Sequence, residues 1–141
     1  MARPTTPTGP VGGNSGDPFS EQVQDNAKII GMHVASGEFI DSITMNNDLT
    51  GFGVRHGGTN GATLDLNLQT GEYITGISGR AGEFVDLLTF HTNTRRVDFG
   101  NKNSTADTFN LFASSGSEVC GFFGRSSKYL DKIGIIHRPR I

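Results

Sequence analysis

Short runs of alternating apolar and polar residues, each broken by glycine or a small polar residue, set the pattern of this chain. Lys28-Ile29-Ile30-Gly31-Met32-His33-Val34 is one run; Glu72-Tyr73-Ile74-Thr75-Gly76-Ile77 and Glu118-Val119-Cys120-Gly121-Phe122-Phe123 are its counterparts. β-Branched residues with a period near two predict strands with one buried face. A second apolar run follows each of them, at Ile43–Met45, Leu87–Phe90 and Ile133–Ile136. No window of about 11 residues carries a helical period. Breaks at Gly, Asn, Asp and Ser make an all-β chain of short strands the expectation.

The runs recur at a fixed interval. Ser36-Gly37-Glu38-Phe39-Ile40-Asp41, Ala81-Gly82-Glu83-Phe84-Val85-Asp86 and Ser126-Ser127-Lys128-Tyr129-Leu130-Asp131 share one shape, and their aspartates stand 45 residues apart (86 − 41 and 131 − 86). An ungapped slide by 45 also aligns Ile29, Ile74 and Val119, and Phe19, Leu64 and Phe109. It sets Gly12-Gly13-Asn14-Ser15-Gly16 on Gly57-Gly58-Thr59-Asn60-Gly61 and on Lys102-Asn103-Ser104-Thr105-Ala106. Three copies cover 135 of 141 residues. Such a period marks a repeat whose units bury their apolar faces only against each other.

Each copy has room for about four strands of ~5–6 residues. Three four-stranded sheets around a pseudo-three-fold axis make a prism. A three-bladed propeller has too few blades to close, whereas a β-trefoil is a three-fold alternative that periodicity leaves open. Gly31, Gly76 and Gly121 align inside strand-like runs, which points to bulges or close backbone approach, near the axis. Residues 1–9, with Pro4 and Pro7, are expected to be a flexible lead, and 10–141 one domain.

Composition narrows the function. A net charge of −2 supplies no basic field for nucleic acid. Cys120 is the single cysteine, so the fold does not depend on a disulfide; it is expected to be an inert packed thiol. No apolar run reaches the ~18–20 residues of a membrane span, and the lead has no signal-peptide core. The expectation is a soluble protein, cytoplasmic or released without a leader. His33, His56, His91 and His137 lack metal-ligand spacing, so no metal or other cofactor is expected.

The aspartate turns carry the candidate chemistry. Gly37, Gly82 and Ser127 permit a tight backbone, the next two amides point outward, and the aspartate supplies acceptor oxygens. With an aromatic plate beside them, these groups match the vicinal hydroxyls and C–H face of a sugar. The plainer alternative is that the aspartates hydrogen-bond their own turn. Glycine-rich loops expose further amides. Each lies about one half-repeat beyond a turn, so the last turn needs Gly12–Gly16, which requires the two ends of the chain to lie side by side. Glu38 with Asp41, or Glu83 with Asp86, would lie on one side of a sugar rather than flank its bond, which argues against a glycosidase. Arg95-Arg96 and Arg138-Pro139-Arg140 are expected to be solvated surface.

With its Gly12–Phe19 loop, its Ser36–Asp41 turn and the run Gly121–Gly134, the chain resembles the jacalin-related lectins over residues 10–137. The resemblance implies the β-prism I fold and a non-catalytic, multivalent carbohydrate-binding protein. In that family the sugar lies between the last glycine of the loop and the G-x-x-x-D turn. Carried over, the primary site is Gly16 with Lys128, Tyr129 and Asp131, flanked by Gly12, Gly13 and Ser127. The second is Gly61 with Gly37, Glu38, Phe39 and Asp41, and the third is Glu83, Phe84 and Asp86, facing a loop without glycine. Ser127 stands where the motif has glycine, at a cost of about 1 kcal/mol if the position is left-handed. Galactose-specific members are cut to free a glycine amino terminus; the continuous lead before Gly12 implies mannose or glucose instead. Expected partners are mannose/glucose-containing glycans or glycoproteins and further copies of the chain, with no nucleic acid and no membrane insertion. The alternative from another class is a β-prism protein-interaction or targeting module without sugar binding.

Overall fold

A computed structural model describes residues 2–141. Thirteen strands form three antiparallel sheets, and no α-helix occurs among the described residues. The first sheet joins both ends of the chain. β1 (Thr6–Gly12) and β2 (Asp17–Gln22) flank β12 (Ser117–Ser126) and β13 (Leu130–Pro139), in the order β1-β13-β12-β2. The second contains β3 (Ile29–Ser36), β4 (Ile40–Asn47), β5 (Gly51–Phe52), β6 (His56–Gly57) and β7 (Ala62–Asn67). Its order is β5-β4-β3-β7, with β6 also on β4. The third contains β8 (Ile74–Ala81), β9 (Val85–Thr92), β10 (Arg96–Gly100) and β11 (Asp107–Phe112), in the order β10-β9-β8-β11. The second sheet has five strands rather than four because its outer strand is split into β5 and β6. This is the β-prism expected from the repeat, not a trefoil.

The repeat is written into the core. Ile40, Val85 and Leu130 are equivalent and fully buried. So are Ile43, Leu88 and Ile133 in the next layer, and Met45, Phe90 and Ile135 in the one after. Phe90 meets Phe99 and Phe122 edge-on, at centroid separations of 5.7 and 5.9 Å. Truncating one such side chain to alanine costs about 2–5 kcal/mol in a typical core. No sheet can hide its apolar face without the other two.

Gly31, Gly76 and Gly121 each sit at a β-bulge in the pairing of a repeat's two central strands. A Cβ on Gly31 would come within 2.7 Å of Leu66 O on the neighbouring β7. The crowding thus comes from the adjacent outer strand, and the three-fold axis need not be invoked.

β1 pairs with β13 from Thr6↔His137 to Gly12↔Lys132, which places the two ends of the chain side by side. Residues 6–9, assigned by sequence to the lead, are therefore strand. Arg3 donates through Nε to Asp25 Oδ1 at 3.0 Å and through Nη2 to Asp25 O at 2.6 Å; Met1 lies outside the described residues. Of the arginines expected on the solvated surface, Arg95, Arg96 and Arg140 are exposed and Arg138 is not. Arg138 is buried and donates to Glu118, Gln24 O and Ala27 O. Arg95 grips the buried Glu72. Among the described residues no helix is long and apolar enough to cross a membrane.

Candidate functional site

All three aspartate turns lie at one end of the prism. Each closes in the same way: Gly37 N–H donates to Phe39 O (2.9 Å), Gly82 N–H to Phe84 O (2.9 Å) and Ser127 N–H to Tyr129 O (2.8 Å). That bond leaves the amides of the next two residues, Lys128 and Tyr129 in the last repeat, outside the turn's own bonding. Phe39, Phe84 and Tyr129 face one another, with centroids 4.8–5.1 Å apart. The aromatics therefore pack the turns together, as tilted and edge-on pairs that leave each ring partly exposed.

The glycine-rich loops dock on the turns. Gly13 N–H donates to Asp131 O (2.9 Å), Gly58 N–H to Asp41 O (2.8 Å) and Asn101 N–H to Asp86 O (2.9 Å). Each loop also touches the turn of another repeat. A Cβ on Gly13 would come within 2.8 Å of the Glu83 carbonyl carbon, and one on Gly58 within 2.9 Å of that of Lys128. The three candidate sites thus share one interlocked surface.

At the first site Gly16 has φ +83°, a conformation that glycine adopts without strain. A Cβ there would lie 2.9 Å from Asp131 Oδ1 and 2.7 Å from Ser126 O, so the loop backbone abuts the carboxylate. Arg125 Nη1 donates to Gly16 O at 2.7 Å and Lys132 Nζ to Asn14 Oδ1 at 2.7 Å, pinning the loop at both ends. Asp131 is fully buried, and burial raises its pKa above the usual carboxylate value. Ser127 Oγ donates to its Oδ1 at 2.9 Å. Oδ2 has no partner, and no other buried side-chain polar atom among the described residues lacks one.

Ser127 differs from the sequence expectation. Among the described residues none other than glycine has positive φ, and Gly37 and Gly82 do not have it either. A Cβ on Gly37 would meet nothing within 4 Å. Serine is therefore not strained at this position, and its effect is chemical: its hydroxyl engages the aspartate.

The second site repeats the geometry. Gly57 and Gly61 have φ +123° and +91°, and a Cβ on Gly61 would lie 2.5 Å from Asp41 Oδ1. Asp41 is 4% exposed, and burial raises its pKa. Gly37 in place of serine leaves both oxygens free of a turn hydroxyl. Among the described residues the Asp131 carboxylate thus bonds its own turn through the Ser127 hydroxyl, whereas no turn hydroxyl reaches Asp41.

The third site is built differently. Gly12 pairs with Lys132 and Gly57 with Ser42, each one residue after the aspartate; in the third repeat it is Gly100 that pairs with Leu87. Gly100, at φ +98°, is the true counterpart, and the loop from it to Ala106 is two residues longer than Gly12–Gly16. The ungapped alignment with Lys102 misses this, because two residues fewer separate Asp86 from Gly100 than Asp41 from Gly57. The loop has kept its first glycine. Within it Ser104 Oγ donates to Asp86 Oδ2 at 2.7 Å and accepts from Ala106 N–H at 3.1 Å. A cavity of about 430 Å³ remains between this loop and the turn, with Glu38 and Phe39 on its rim.

Comparison with known proteins agrees with this architecture. No curated protein matches the sequence. Among solved structures, Calsepa lectin in complex with a biantennary N-glycan is 28% identical, with 99% of this chain and 100% of that chain covered, at a TM-score of 0.85. The mannose-binding lectin from Champedak is 28% identical (97% and 99% covered, TM-score 0.81). Wild-type Malaysian banana lectin is 26% identical (97% and 100% covered, TM-score 0.83). The family model described as "Jacalin-like lectin domain" matches residues 8–136, and with three interlocked turns on a three-sheet prism the chain belongs to that family.

Proposed function

We propose that this protein is a non-catalytic lectin that binds mannose- or glucose-type glycans at two of its three loop–turn sites. The observation that carries this is Asp131 Oδ2. A buried carboxylate oxygen without a donor costs about 1–3 kcal/mol or more, and the other oxygen of the same carboxylate lies 2.9 Å from where a Cβ on Gly16 would stand. A sugar presenting vicinal hydroxyls would donate to the carboxylate and accept from the Gly16, Lys128 and Tyr129 amides. Gly61, Glu38, Phe39 and Asp41 offer the same set. The third site already holds such a ligand in its own chain. The Ser104 hydroxyl donates to the aspartate and accepts from the loop amide, as a sugar hydroxyl would.

Similarity to a lectin solved with an N-glycan and to a mannose-binding lectin supports the sugar class. A shallow site with few hydrogen bonds supports millimolar monosaccharide affinity, since ~1 mM corresponds to about −4 kcal/mol. Two sites on one end, in a homo-oligomer, would raise avidity by ~10²–10⁴. No group of three potential metal ligands occurs among the described residues, so the binding is proposed to need no metal. Retention on mannan-agarose in the presence of EDTA, with release by free mannose, is the expected result. Passage through the column would favour the protein-interaction module instead.

A further inference from the structure

The prism is closed at one end by Phe39, Phe84 and Tyr129, but the other end is open. There a cavity of about 240 Å³ is lined by the equivalent residues Ile29, Ile74 and Val119. Ile29 and Ile74 begin β3 and β8 and Val119 is the third residue of β12, so the cavity sits where the repeats converge. Its floor is apolar, because these three are the last buried layer of the core. Arg140 lies over the Tyr73 ring, with Cζ 3.7 Å from the centroid, and forms a flat cationic wall. Lys28 stands on the rim.

The charges around this opening do not cancel. Glu72 is committed to Arg95, and Glu118 to Arg138 and Arg3. Asp48, which accepts from the Lys28 backbone amide, lines the neighbouring groove and not this cavity. Among the described residues neither Lys28 nor Arg140 takes part in an ion pair. The unspent charge at the mouth is therefore positive, above an apolar floor. We propose that this end of the prism binds a small amphiphilic carboxylate. Its ring or chain enters over Ile29, Ile74 and Val119, and its carboxylate meets Lys28 and Arg140. Burial of the apolar part drives entry, and charge-assisted hydrogen bonds fix the orientation. The site lies at the opposite end from the loop–turn sites and stands whether or not those bind sugar.

The test uses 2-naphthoate and its uncharged analogue 2-naphthalenemethanol, titrated into ¹⁵N-labelled protein. Naphthoate is expected to shift the amides of Ile30, Tyr73 and Val119, and free mannose to leave those shifts unchanged. The double variant Lys28→Gln/Arg140→Gln, altered only at exposed side chains, should weaken naphthoate about tenfold through loss of the charge-assisted contacts. The alcohol should bind wild type and variant alike, more weakly than the acid binds wild type. No shift at these amides, shifts confined to the Gly16–Asp131 end, or equal binding of acid and alcohol would each overturn the proposal.

Discussion

Ser127 Oγ donates to Asp131 Oδ1 at 2.9 Å, while Oδ2 of the same carboxylate has no partner. One oxygen is thus engaged by the chain and the other is not. Asp131→Ala should cost more sugar affinity than Asp41→Ala, and Asp86→Ala least, because Ser104 already occupies Asp86. A lost charge-assisted bond is worth about 1.5–3 kcal/mol, enough to silence a millimolar site. Titration calorimetry on the three variants checks the order; a dominant Asp86 would overturn it.

Ser127→Gly should strengthen binding at the first site. It frees Asp131 Oδ1 and restores the arrangement seen at Gly37–Asp41, at a position where no left-handed backbone is required. Because the hydroxyl is one competing hydrogen bond of about 1 kcal/mol, a gain of a few-fold in affinity is expected. Unchanged or weaker binding would show that the serine hydroxyl helps to hold the sugar.

Ser104→Gly should open the third site. It releases the Ala106 amide and Asp86 Oδ2 together, beside a cavity that is already present. Calorimetric stoichiometry with a methyl mannoside is expected to rise from two toward three sites per chain. A stoichiometry that stays at two would mean that the longer loop, rather than the hydroxyl, closes the site.

Acid should separate binding from stability. Burial raises the Asp131 pKa above 3.8, so its protonation removes an acceptor at a higher pH than for an ordinary carboxylate, and sugar binding weakens there. A raised carboxylate pKa means that the same protonation favours the folded state. Glu72 runs the other way. The Arg95 bond, aided by Gln69, Thr92 and Thr94, lowers its pKa to about 2, against the opposing effect of burial. That contribution is present above 4.5 and is lost as pH falls toward about 2. Melting temperature should therefore decline between about pH 4.5 and 2, and Glu72→Gln should flatten the decline while lowering stability at neutral pH. An unchanged acid profile in that variant would remove Glu72 from the account.

Much of this protein is determined by its sequence alone. Equal spacing of Asp41, Asp86 and Asp131, with apolar residues in register, requires three like units, and none can bury its inner face alone. The prism, the bulges at Gly31, Gly76 and Gly121, and the pairing of the two chain ends follow from that, because period and β-pattern are local properties. What the tertiary structure decided depends on atoms distant in the chain. That Gly100 rather than Lys102 begins the third loop follows from its pairing with Leu87, and two compensating length changes hide it from any ungapped comparison. That Phe39, Phe84 and Tyr129 meet as one aromatic cluster is set by how three turns converge, which no single turn encodes. Arg138 reads as surface because charge usually is, yet the Glu118 carboxylate and the Ala27 carbonyl draw it in. The unpaired oxygen of Asp131 belongs wholly to the fold. Its burial and its missing partner arise only when Gly16 and Ser127, over a hundred residues apart, close around it.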